Sequence, residues 1–115
     1  MSPKPQTVMK KEILSKRFNT LIRRLILEPG EAMPWHTDAC TRYSVIIRGD
    51  SLGIEYRDSG EIHSFPVHPG LAEWDEPQPR VHRGLNTGTV PYEEVVIFFL
   101  DNPDMEPQPE PGQDQ

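Results

Sequence analysis

The chain has 115 residues, a mass of 13.2 kDa and a formal net charge of −6, enough for one domain that buries roughly two-thirds of the surface its unfolded form exposes. Its longest apolar run, Val95 to Leu100, falls far short of the roughly 20 residues that cross a bilayer. Five of the six net negative charges belong to residues 101–115, so the body is nearly neutral. It has neither the basic stripe of a nucleic-acid binder nor the basic amphipathic helix of a membrane-surface protein.

Residues 1–8 are polar, carry two prolines and are expected to be disordered. They contain no apolar core or small-residue cleavage site, so no secretory signal is expected and the predicted location is cytoplasmic. The single Cys40 has no internal partner, which fits a reducing compartment.

Val8 to Phe18 has mixed periodicity, compatible with a strand pair or a short helix. Leu21 to Leu27 is rich in branched apolar residues and stops at Pro29-Gly30, which predicts a strand and a turn. A short strand is expected at Pro34–Asp38 and another at Tyr43–Arg48, where alternation places Arg42, Ser44 and Ile46 on one face.

Leu52–Tyr56 and Glu61–Val67, joined by the turn Arg57-Asp-Ser-Gly60, read as a hairpin. Leu71–Trp74, Arg80–Leu85 and Tyr92–Leu100 follow, separated by turn residues. Short strands at this spacing, without a long helical pattern, predict one all-β antiparallel barrel or sandwich over residues 9–100. Residues 101–115 hold four prolines among acids and glutamines and are expected to form a disordered tail.

The residues able to carry chemistry are His36 and Asp38, two apart on one strand face, and His82 on a distant strand. Two imidazoles and a carboxylate are the donors of the facial triad of non-haem iron(II), which leaves positions open for substrate. The blander alternative is a pair of surface or turn histidines. Trp35 and Trp74 can wall a ligand pocket or serve as core or dimer contacts, and Arg80 shares the His82 side of its strand. His63 and His68 are expected to be solvated, Asn86 to cap a turn, and Cys40 to be inert.

Gly30, five residues, His36, one residue, Asp38, three residues, Arg42, six residues and Gly49 resemble the first motif of the cupin family. Gly70, Pro77, Pro79, His82 and Asn86 resemble the second, with one extra residue after Gly70 and a proline in place of a glycine. The resemblance covers residues 20–100 and implies a jelly-roll barrel, a homodimer and a divalent metal, iron(II) ahead of manganese, nickel or zinc. It does not specify the reaction, since the barrel hosts dioxygenases, isomerases, lyases and binding proteins.

Two family ligands are altered: Asp38 replaces a histidine and keeps a donor, whereas Arg42 replaces a glutamate and removes one. A guanidinium ~5 Å from a divalent ion costs roughly 6–7 kcal/mol at an effective dielectric of 20. Two pictures are consistent with this. In one, His36, Asp38 and His82 hold the ion while Arg42, Trp35 and Arg80 bind a small carboxylate, as in a metal-dependent dioxygenase. In the other, Arg42 pairs with Asp38, no metal binds, and His82 moves protons for a small anionic ligand. A non-catalytic assembly or regulatory module is the third alternative.

Overall fold

A computed structural model describes residues 9–111. The expectation of disorder in residues 1–8, and the end of the expected tail, 112–115, lie outside the described residues. Among the described residues, nine strands run in order: β1 (Lys10–Arg17), β2 (Thr20–Leu27), β3 (His36–Asp38), β4 (Thr41–Arg48), β5 (Ser51–Tyr56), β6 (Ile62–Pro66), β7 (Ala72–Asp75), β8 (Gln78–Leu85) and β9 (Tyr92–Phe99). They form a five-stranded sheet, β1-β2-β9-β4-β7, and a four-stranded sheet, β3-β8-β5-β6, with every pairing antiparallel. Within Val8 to Phe18, where a strand pair or a short helix is expected, residues 10–17 form one strand, β1, hairpinned to β2.

Alternation decides what enters the barrel. In β2, Leu21, Arg23, Leu25 and Leu27 are buried while Ile22, Arg24 and Ile26 face outward. In β9, Tyr92, Glu94, Val96 and Phe98 are the inward row. The interior is therefore layered. Leu25, Leu27, Met33, Ile46, Leu52, Val67 and Tyr92 fill one end, and Leu21, Cys40, Val96, Phe98 and Leu100 fill the other, with Met105 against them. Between the ends lie buried Arg23, Glu94, His36, Asp38 and His82. Each fully buried leucine contributes about 1.5–3 kcal/mol over an exposed one, so the two ends hold the polar layer in place.

Gly30 and Gly70 have φ of +85° and +89°, a left-handed conformation that an L side chain adopts only with strain, which is why turns leading into β3 and β7 carry glycine. Asn86 is buried and caps its turn, donating to the carbonyls of Leu27 and Val90 and accepting from Gly88 N–H.

The tail departs from the sequence expectation. Residues 101–111 lie against the barrel: Pro107 is buried, and Thr37 N–H and Ala39 N–H, on and just after the free edge of β3, donate to the carbonyls of Pro109 (3.2 Å) and Pro107 (2.9 Å). Prolines cannot donate, but their carbonyls accept from an edge that otherwise lacks a partner. Their fixed φ also lowers the entropy lost on ordering.

Candidate metal centre

β3 is three residues long, and its alternation sends His36 and Asp38 inward and Thr37 away. Its register with β8 sets His36 opposite His82 and, after an irregularity, Asp38 opposite Gln78. The two imidazoles meet edge to face with ring centroids 4.6 Å apart. Donor atoms of His36, Asp38 and His82 all lie within 4.8 Å of one another, and all three side chains are buried.

The rings are oriented by one local device used twice. His36 Nδ1–H donates to the carbonyl of Pro34 at 2.8 Å, and His82 Nδ1–H donates to that of Arg80 at 2.7 Å, each two residues upstream. Both Nε2 atoms are thereby turned toward Asp38: His36 Nε2 lies 3.6 Å from Oδ1 and His82 Nε2 lies 2.8 Å from Oδ2. A histidine whose other ring nitrogen is tied to a carbonyl is the arrangement in which metal ligands are held.

Asp38 Oδ2 also lies 3.2 Å from Arg42 Nη1, yet neither atom has an aligned hydrogen bond. Charges touch there without a well-formed bond, and a buried oxygen is left with a free lone pair. Arg42 reaches Asp75 on its other side only at 3.9 Å. The donor set fits a divalent ion, with Arg42 as the nearby positive charge it must tolerate.

Burial pulls His36 below the ordinary histidine range and keeps the ring neutral. Burial acts on His82 in the same direction, but its contact with Asp38 and its bond to the Arg80 carbonyl outweigh that and raise it. For Asp38, burial pushes upward, whereas His82, Arg42 and Gln108 hold the carboxyl below the usual carboxylate range. The raised His82 and the lowered Asp38 thus favour each other's charged forms in the metal-free protein.

A cavity of about 350 Å³ opens beside the cluster, with Arg42, Asp75 and Glu94 on its polar wall and Ile46, Ile54 and Val67 below. Of the residues expected to touch substrate, only Arg42 lines it. Trp35 lies away from the cavity, beneath the guanidinium of Arg83 at 4.2 Å, and Arg83 pairs with Glu55. Arg80 sits past the last β5–β8 pair, Tyr56 with His82, at the level of the turn after β5. There it forks onto Asp58 at 2.8–3.2 Å and stacks over Tyr56 at 3.8 Å, so it is spent at the rim.

Three residues of the site lay outside the sequence reading. Arg23, only 5 % exposed, pairs with Glu94 at 3.0 Å and has an unpartnered Nε. Gln108 reaches in from the tail, accepting from Arg23 Nη1 and donating to Asp38 Oδ1 at 3.0 Å. Arg23 and Glu94 had a signal, a charge on an inward row of apolar side chains; Gln108 had none.

This geometry is that of the cupin fold, the double-stranded β-helix. A cupin domain from Bordetella pertussis Tohama I superposes with a TM-score of 0.65 at 15 % identity, covering 85 % of this chain and 97 % of the other. A RmlC-like cupin from Methanocaldococcus jannaschii gives 0.62 at 20 % identity, covering 87 % of each. An oxalate oxidase solved with the substrate analogue glycolate gives 0.54 at 24 % identity over 74 % of this chain, which spans 44 % of that one. No family model matches the sequence, and no curated protein does. These likenesses establish the fold; chemistry has to be argued from the side chains.

Proposed function

We propose that His36, Asp38 and His82 hold a divalent metal, iron(II) ahead of manganese, nickel or zinc, and that the adjoining cavity takes a small organic acid for metal-assisted chemistry. The observation carrying this reading is the pair of imidazoles whose Nδ1–H groups are tied to backbone carbonyls while both Nε2 atoms converge on a buried carboxylate. When bound, the ion supplies a Lewis acid for a carboxylate or enolate and, as iron(II), a centre for oxygen chemistry.

Arg42 is the group suited to orient the acid. Its guanidinium lines the cavity, and its looser partner, Asp75, can be exchanged for a substrate carboxylate held by two parallel bonds. The glycolate bound by an oxalate oxidase of like fold agrees with a small acid by analogy. We also propose a homodimer: Ile22, Ile97, Tyr43 and Trp74 form one apolar row across four strands of the outer sheet face, with Trp74 62 % exposed.

A second reading is favoured by the 2.8 Å approach of His82 to Asp38 and by Arg42 beside them. There, His82 carries a proton to and from a small anionic ligand without metal.

Metal content of the purified, untagged chain, measured by plasma mass spectrometry beside His82→Ala, separates the two. Near-stoichiometric transition metal that is lost in the variant is the expected result. No metal after incubation with iron(II), manganese(II), nickel(II) and zinc(II) would overturn the metal reading in favour of the second.

A further inference from the structure

The tail meets the cluster in a way that bears on how metal loads. Leu100 N–H bonds to Asn19 O at 2.7 Å as the chain leaves β9, and Met105 then packs on the apolar end formed by Leu21, Cys40, Val96, Phe98 and Leu100. From that anchor, Pro107 and Pro109 lend their carbonyls to Ala39 and Thr37. Gln108, between the two prolines, extends its side chain into the barrel.

The orientation of its carboxamide is determined by its neighbours. Oε1 accepts from Arg23 Nη1, and Arg23 is held by Glu94, so exchanging the amide's ends would set N–H against guanidinium. The NH2 end is left to donate to Asp38 Oδ1 at 3.0 Å and to face His36 Nε2 at 3.4 Å. Gln108 thus presents hydrogens, not its oxygen, to two of the three groups proposed to hold the metal.

We infer that the Gln108 carboxamide is a built-in competitor for the metal centre: it occupies a lone pair on Asp38 Oδ1 and faces that of His36 Nε2, and loading at those two atoms requires it to withdraw. This rests on the proposed metal reading. The competition is direct, because a lone pair engaged with N–H is unavailable to a cation. The segment carrying the amide is suited to withdraw, since among the described residues its backbone is tied to the β3 edge by only two hydrogen bonds, while the strands beneath it belong to continuous ladders. The tail then sets the affinity of the centre as well as covering it, and anything that draws the tail away favours the loaded state.

The test is calorimetric titration of manganese(II) into the full chain, Gln108→Ala, Gln108→Leu and a variant ending at Met105. Removing a hydrogen bond to a charged carboxylate is expected to tighten manganese(II) about tenfold in both Gln108 variants, and at least as much in the shortened chain. Unchanged affinity in the two Gln108 variants would overturn the inference while leaving the metal reading in place. Weaker binding would overturn it too, by making the amide oxygen a ligand. Failure of every protein to bind manganese(II) would remove the metal reading and this inference together.

Discussion

The barrel has two seams where its sheets meet without strand pairing, and they are treated differently. Beside β3, residues 105–109 cross the gap, bonding to the sheet edge through proline carbonyls and to the site through Gln108, with a second cavity of about 270 Å³ between them and β1. On the other side, β6 and β7 end their respective sheets unpaired to each other, and Phe65, Leu71, Glu73 and Asp75 from that side line the cavity directly. One seam is closed by a segment that touches the proposed metal donors. The other borders the cavity and brings Asp75 up to Arg42. On the proposed reading the tail bears on the metal donors, and β6 and β7 border the cavity that reaches the same donors from the other side.

The largest expected effect separates the groups on either side of Asp38. His36, beneath the closed seam, stays neutral, whereas His82 is raised above its ordinary value of 6.5. A proton must leave His82 for its Nε2 to bind an ion, so metal affinity should fall as pH drops from above 6.5, by about tenfold per pH unit for one proton. Stability of the metal-free chain has the opposite sign at this group. A raised folded pKa contributes stability fully below 6.5, and this is lost as pH rises through the raised value. Asp38, lowered from 3.8, contributes stability above 3.8 that is lost as pH falls through its lowered value. Metal titrations and thermal melts across this range check both signs, and metal affinity independent of pH would remove the proton from His82.

The open seam is sharpened by Asp75→Asn. Burial raises this carboxyl, and Arg42 beside it opposes that rise, so the two charges hold each other only partly. Neutralising it should free Arg42 and tighten glycolate a few-fold, in keeping with the modest worth of a partly exposed ion pair. Weaker glycolate binding in calorimetry would show that Asp75 positions Arg42 instead of competing for it.

The smallest effect belongs to the closed seam. Pro109→Ala keeps the carbonyl that accepts from Thr37 and loses only the restriction of the unfolded chain, so stability should fall by about 0.4–1 kcal/mol. A denaturant titration showing a far larger loss would mean that this proline packs as well as accepts.

Much of this was legible in the sequence. The strands from β2 onward are short runs rich in apolar and branched residues bounded by turn residues, and the spacing of Gly30, His36, Asp38 and Gly49 was enough to indicate the barrel. His36, Asp38 and His82 meet because strand register, a local property, carries them together. Alternation failed for Arg80 because β8 outruns its neighbour β5, and beyond that point the turn carrying Asp58 decides where a guanidinium goes. Trp35 lies beside His36 in the chain, so the same alternation turns it away from the cavity. Gln108 was illegible: the tail lacks periodicity, and what orders it is a sheet edge more than sixty residues earlier.

Cys40, the only cysteine, lies 3 % exposed in the apolar end that Met105 packs against, with its thiol pushed up by burial. A thiol in that position reacts only when its cover lifts. The chain therefore contains its own stopwatch: the rate at which a small alkylating reagent consumes Cys40 counts how often that apolar end of the barrel opens, with no label introduced.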